Sequence, residues 1–222
     1  MTAPLAILVH GMGRTPISMA LLAARLRHAG FATAQFAYLV TFESYAGCRM
    51  RLRRFLHERT ATGPDAPPYV LIGHSLGTVL LRSLLPELHP SPAALFLLAP
   101  PTCACELARR MAPHLAYRLL CGEMGQKLAD GKFMGDLSIP QIPSWIYAGT
   151  AGPRGRFFPV GDDINDGILK LSETTLPGIP QIPIRAMHTL LPNSRALAND
   201  VIAKARGLVF HEQDATQEEL HA

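Results

Sequence analysis

Ser75 stands between two glycines in the stretch Val70-Leu71-Ile72-Gly73-His74-Ser75-Leu76-Gly77-Thr78-Val79-Leu80. An apolar run that meets this Gly-x-Ser-x-Gly spacing and passes into a second apolar run reads as strand, sharp turn and helix. A serine at such a turn pushes its hydroxyl clear of the backbone. The turn closes only where the flanking positions lack side chains, which Gly73 and Gly77 supply. The chemistry open to that hydroxyl is nucleophilic. The same turn leaves the Leu76 N–H unpaired at a helix N-terminus, where partial positive charge gathers and an oxyanion can be held. The plainer use of these residues is an ordinary turn in which Ser75 caps the helix.

Two further segments carry groups that could work with a nucleophile. Leu5-Ala6-Ile7-Leu8-Val9 runs into His10-Gly11-Met12-Gly13-Arg14-Thr15-Pro16, an apolar strand followed by a glycine-rich loop. Gly161-Asp162-Asp163-Ile164-Asn165-Asp166-Gly167-Ile168-Leu169 gathers three carboxylates, and His188 follows the short strand-like stretch Ile184-Arg185-Ala186-Met187. The four cysteines, at 48, 103, 105 and 121, lack the paired C-x-x-C spacing of zinc sites, so free thiols and no metal are expected.

Taken together, these segments resemble the α/β-hydrolase superfamily, and within it the smaller bacterial lipases and esterases. Gly73-His74-Ser75-Leu76-Gly77 is similar to the family's nucleophile elbow, and His10-Gly11-Met12-Gly13 to the loop that supplies its second oxyanion donor. The resemblance implies Ser75 as nucleophile, the backbone N–H groups of Met12 and Leu76 as the oxyanion hole, and His10 as a structural part of its loop. In that family the acid and then the histidine follow the serine along the chain. Of the nine histidines, His188, His211 and His221 lie far enough on, and the last two fall in a polar tail. His188 is therefore the expected base. Asp166, before a glycine and an aliphatic pair, resembles the family's acid segment, with Asp163 and Asp162 as competitors.

What the resemblance implies is cleavage of carboxylic esters through an acyl-serine, with no metal or organic cofactor. An acyltransferase or a thioesterase would use the same triad. A non-catalytic member of the fold that binds a ligand or a protein would be expected to show a broken one. So short a chain leaves little sequence for an acceptor pocket, which favours water as the acceptor, and the resembling loop segments favour a small-molecule carboxylic ester of modest to long acyl chain as the substrate.

The elements that must position these groups are legible as an alternation. Strands are expected at Leu5–Val9, Phe31–Val40, the run before Ser75, Ala93–Ala99, Trp145–Ala148 and Ile184–Met187, with helices over 16–28, over 44–60 and after Ser75. Such an order predicts an α/β fold with a doubly wound, mostly parallel sheet of six to seven strands and helices on both faces. It is a minimal version of the family's pattern, without the leading antiparallel hairpin. One domain over residues 1–210 is expected, then a polar tail over 211–222. Within the domain, 102–143 breaks the rhythm. It holds a helical pattern (Leu107, Met111, Leu115, Leu119 and Leu120) and a glycine-rich stretch from Gly122 to Gly135, read either as a pocket-covering insertion or as a crossover helix with a loose loop. Ile-Pro-Gln-Ile-Pro occurs at 139–143 and again at 179–183, each copy leading into a strand, and Phe157-Phe158 could line an apolar pocket.

At 222 residues, 48% hydrophobic and 17% charged, the chain has the composition of a globular domain with a substantial core. The net charge of +4 is spread out. Its one cluster, Arg49, Arg51, Arg53 and Arg54, alternates with Met50, Leu52, Phe55 and Leu56 and reads as a solvated helix face, not a nucleic-acid surface. No apolar stretch is long enough to span a membrane, and Leu5–Val9 lacks the basic flank of a leader, so a cytoplasmic protein is expected. Contact with a lipid surface stays open.

Overall fold

Strand side chains alternate between faces, and the apolar runs here are apolar at both parities, so each strand must be covered on both sides. The computed structural model describes residues 3–60, 63, 66–156, 158 and 160–219, with side chains up to 209. Its strands are β1 (Leu5–Val9), β2 (Ala32–Phe36), β3 (Tyr69–His74), β4 (Ala94–Leu98), β5 (Ser144–Gly149) and β6 (Gln181–Ile184). They form one six-stranded parallel sheet in the order β2-β1-β3-β4-β5-β6. This is the doubly wound sheet expected from the sequence.

Ile7, Val9, Leu71, Leu95 and Leu97 point to one face, where α2 (Tyr45–His57) and α3 (Leu76–Leu84) cover them. Leu8, Ile72, Phe96 and Leu98 point to the other, under α1 (Ala20–His28) and α7 (Arg195–Glu219). Each such burial is worth about 1.5–3 kcal/mol, enough for a helix as polar as α2 to dock through buried Cys48, Leu52 and Leu56 with partly buried Tyr45 and Phe55. Its arginines face outward, Arg49 and Arg53 to Glu87, Arg51 to Glu43 and Arg54 to Glu58. Among the described residues no helix is long and apolar enough to cross a membrane.

The strand order has a consequence for the site. The chain leaves β1 toward α1 on one face and leaves β3 toward α3 on the other, so the loops after these two neighbouring strands diverge. A crevice opens between them at the carboxyl ends of the strands, the place where open α/β sheets bind ligands.

Several expected bounds move. The strand expected over Phe31–Val40 spans only Ala32–Phe36, because Tyr38 leaves the sheet to stack on His10, ring centroids 4.3 Å apart. The last strand is Gln181–Ile184, starting within the second Ile-Pro-Gln-Ile-Pro copy and sharing only Ile184 with the strand expected over Ile184–Met187. As the sheet edge it tolerates Pro183. Beyond it the Ala186 N–H donates to the Ile184 carbonyl at 2.7 Å, a tight turn that ends the strand and swings His188 inward. The glycine-rich part of 102–143 is helical: α4 (Glu106–Met111) is followed by α5 (Leu115–Ala129), kinked at Gly122, and α6 (Gly131–Asp136). Asp130 starts α6 by accepting from the Lys132 and Phe133 N–H groups, a cap strong enough to outweigh the local glycines. The backbone of α7 stays helical to Glu219, into the expected tail.

Candidate active site

Ser75 is one of two non-glycine residues at positive φ among the described residues, at φ 51 and ψ −122. That conformation is strained for an L-residue and persists only where its surroundings enforce it. Here the Ser75 N–H is held by the Leu98 carbonyl at 2.9 Å, and the Ser75 carbonyl accepts from the Thr78 N–H at 2.9 Å and the Thr78 hydroxyl at 2.6 Å. The flanking glycines are required by contact. A Cβ on Gly77 would lie 2.4 Å from the Val9 carbonyl oxygen, and one on Gly73 would lie 2.9 Å from the Thr78 backbone. Leu76 opens α3, so its N–H has no carbonyl one turn back to pair with.

The two residues named as acid and base are hydrogen-bonded. His188 Nδ1 donates to Asp166 Oδ2 at 2.7 Å, and the His188 backbone N–H donates to the Asp166 carbonyl at 2.8 Å. The other Asp166 oxygen, Oδ1, accepts from the N–H groups of Ile168 (2.9 Å) and Leu169 (2.7 Å). Both residues are buried. The competitors lie elsewhere: Asp163 is exposed and pairs with Lys170 Nζ at 2.6 Å, and Asp162 is exposed.

Ser75, His188 and Met12 line one cavity of about 170 Å³ at the crevice after β1 and β3. Its other walls are mostly apolar, from Leu107 and Ala108 of α4, Leu128 of α5, and Ile168 and Leu169 beyond the acid. The 102–143 segment thus forms one side of the cavity. Phe158 stands exposed and is not among the lining residues, and Phe157 lies outside the described residues, as do the side chains of His211 and His221. Cys105 lines the cavity as well, but burial pushes its thiol up to about 12, which keeps it protonated and unreactive.

Two histidines other than His188 stand at the carboxyl ends of β1 and β3. His10 accepts from the Tyr38 N–H at Nε2 (3.4 Å) and donates from Nδ1 to the Gly11 carbonyl (2.9 Å), the hydrogen bonding of a neutral ring. Burial lowers its pKa. His74 donates from Nε2 to the His188 carbonyl at 3.0 Å, and its Nδ1 has no partner. Burial first, and then the positive potential of His188, Arg14 and His10, drives its pKa well below the ordinary histidine value. His74 therefore pins the backbone of the residue it faces without carrying charge.

Other supporting residues escaped the sequence analysis. Gly149 and Gly152 make room for the acid loop: a Cβ on Gly149 would sit 2.6 Å from Asp166 Cβ, and one on Gly152 1.9 Å from Asn165 Oδ1. Buried Asn165 knots the loop through Pro153, Asp163 and Gly167. Glu173 joins it to α4 by accepting from the Glu106 N–H at 2.6 Å. Their signal in the sequence is weak, since a glycine or a buried amide in a loop has many other uses. Among the described residues no cluster of three metal-ligating side chains occurs.

No protein-family model and no curated protein matches the chain in sequence. Solved structures do match in shape. The mature lipase BlEst2 of Bacillus licheniformis superposes with a TM-score of 0.69 at 15% identity, covering 91% of this chain and 92% of that one. The metagenomic carboxyl esterase MGS0156 gives 0.65 at 15% identity over 95% of this chain and 76% of that one. A thioesterase domain from the curacin biosynthetic pathway gives 0.57 at 16% identity, over 90% and 91%. At such identities the likeness is one of fold, and the fold of this chain is that of the α/β-hydrolases.

Proposed function

We propose that the protein is a serine hydrolase that cleaves carboxylic esters. Ser75 is the nucleophile, His188 the general base and Asp166 the group that orients it. The observation that carries this reading is the buried Asp166–His188 hydrogen bond of 2.7 Å, ending on the cavity that Ser75 enters at positive φ.

The chemistry follows from the hydrogen bonds. Asp166 Oδ2 holds the proton of His188 on Nδ1, so Nε2 keeps a lone pair for the Ser75 hydroxyl. Proton transfer to Nε2 lets Oγ attack the ester carbonyl, and Asp166 stabilises the imidazolium without taking its proton. The tetrahedral oxyanion is held by the N–H groups of Met12 and Leu76, each such donor being worth about 3 kcal/mol in comparable sites. Collapse expels the alcohol, which takes the proton from Nε2. Water then attacks the acyl-serine with His188 again as base and Ser75 as leaving group. No step asks for a metal or an organic cofactor.

The cavity bounds the acyl group. At about 170 Å³ it is close to the size of engineered cavities that take up benzene, ~150 Å³, which favours acyl chains of about six carbons over long ones. Thr41, in the segment of exposed Leu39 and Phe42, donates its hydroxyl to the Leu120 carbonyl of α5, where Leu115, Leu119 and Leu120 are exposed, and these apolar side chains support contact with a lipid surface. Four free thiols support a reducing compartment such as the cytoplasm.

The test is a fluorophosphonate probe together with p-nitrophenyl hexanoate. Wild type should be labelled and should turn over, and Ser75→Ala should do neither while remaining folded. Wild-type turnover by Ser75→Ala would end the reading. Hexanoyl thioesters assayed in parallel separate esterase from thioesterase. Product partitioning with millimolar alcohol, amine or thiol acceptors separates hydrolysis from acyl transfer.

A further inference from the structure

The cavity carries a charge that the ester chemistry leaves unused. Arg14 follows Met12 by two residues in the loop after β1, with its N–H on the Gly11 carbonyl at 3.3 Å; it lines the same cavity as Ser75 and His188, and its charge acts on His74 there. Among the described residues no acceptor takes a hydrogen bond or ion pair from its guanidinium. Nearby Arg25 and Arg27 differ, donating to the Asn193 carbonyl and to Thr33 Oγ1.

No acid of the site is free to answer Arg14. Asp166 has both carboxylate oxygens engaged, by His188 and by the loop N–H groups. Asp163 and Glu106 share Lys170, and no aspartate or glutamate lines the cavity. The remaining lining groups that can ionise are His74, His188, Cys105 and Tyr117. Burial keeps His74 neutral and holds the Cys105 and Tyr117 protons in place, so neither thiolate nor phenolate offsets the arginine. The site is thus an apolar chamber with one exposed arginine, unpaired among the described residues, at the oxyanion-loop side.

From this arrangement, and resting on the ester-hydrolase reading above, we propose that Arg14 selects esters that carry a second, anionic group of carboxylate or phosphate chemistry near the scissile bond. The planar guanidinium fork matches both groups, and among the described residues no acceptor competes with the substrate for a charge-assisted pair there. The apolar chamber takes the acyl carbons while Arg14 takes the anion. Neutral esters of the same length fill the chamber and leave the cation to solvent. Hydrogen bonds to charged groups of this kind correspond to roughly a ten- to hundredfold preference.

The experiment compares matched chromogenic esters in wild type, Arg14→Gln and Arg14→Lys. Mono-p-nitrophenyl adipate carries the anion on the acyl side and 3-hexanoyloxy-4-nitrobenzoate on the alcohol side, and p-nitrophenyl hexanoate is the neutral reference. In wild type, kcat/KM for at least one anionic ester should exceed the neutral one by ten- to a hundredfold, with a preference that shrinks as NaCl is raised. In Arg14→Gln the ratio should fall toward one, whatever happens to each ester singly, and Arg14→Lys should lie between. A ratio that is the same in wild type and Arg14→Gln for both anionic esters overturns the proposal. Affinity measured calorimetrically in Ser75→Ala, with and without Arg14→Gln, reads the same selectivity without turnover. If no ester is cleaved and Ser75 is not labelled, the hydrolase reading fails, while the binding comparison still decides for or against Arg14.

Discussion

Acidification should destabilise this protein through His74, by an amount that can be worked from its surroundings. His74 is buried, donates one hydrogen bond to the His188 carbonyl, and faces Arg14, His10 and His188, which add positive potential. Its folded pKa therefore lies well below the unfolded value of about 6.5, so in the window between them the unfolded chain binds the extra proton. The stability tied to neutral His74 is fully present above pH 6.5 and is lost as pH falls toward the folded pKa. Between pH 7.5 and 5.5 the unfolded chain gains about 1.4 kcal/mol from protonating this one residue, at 1.36 kcal/mol per unit. His74→Gln keeps an N–H donor near the position of Nε2 and does not titrate. Urea unfolding of wild type and His74→Gln at both pH values isolates the term, because the lowered His10 and the rest of the chain are common to both. The wild type should lose about 1.4 kcal/mol more than the variant on acidification. Equal losses in the two proteins would refute the burial argument.

Asp166→Asn should lower kcat on p-nitrophenyl hexanoate by about 10⁴-fold, as loss of the orienting carboxylate does in comparable triads, while Asp163→Asn, on the exposed Lys170 pair, should change it only a few-fold. Steady-state kinetics of the two variants checks this, and the reverse order would move the acid to Asp163. Gly152→Ala puts a Cβ 1.9 Å from Asn165 Oδ1 and must shift the acid loop, so kcat should fall by about 100-fold even though residue 152 touches neither Asp166 nor His188 by hydrogen bond. Unchanged kinetics would show that the loop absorbs the methyl group. Ser75→Gly and Ser75→Ala should be equally inactive. Ser75→Gly should nonetheless be the more stable in urea by about 1 kcal/mol, since relief of strain worth ~1–3 kcal/mol outweighs the ~0.5–1 kcal/mol entropic cost of a glycine.

By itself the sequence determined the features that local sterics and periodicity control. The apolar runs at Leu5–Val9 and Ala94–Leu98 are apolar at both parities, which demands strands covered on both faces, and the alternation with helices demands a parallel sheet. The turn at Ser75 was legible because only glycines fit at 73 and 77, a constraint written into adjacent positions. What the tertiary structure alone decided depends on residues far apart in the chain. The Ile184–Met187 run looks as much like a strand as Gln181–Ile184 does, and only pairing with β5 and the turn at Ala186 select between them. Three neighbouring aspartates have the same side chain. Asp166 is distinguished by the space that Gly149 leaves for it and by a histidine 22 residues on, whereas Asp163 is drawn outward by Lys170. The glycines of 122–135 leave a loose loop open as one of two readings because propensity is local, but Asp130 capping and packing of Met124, Leu128 and Met134 into the core favour helix. The unanswered charge of Arg14 is the clearest case. An arginine after a glycine loop looks like any solvated cation until the fold places it on the cavity of Ser75, with Asp166, Asp163 and Glu106 engaged by other partners.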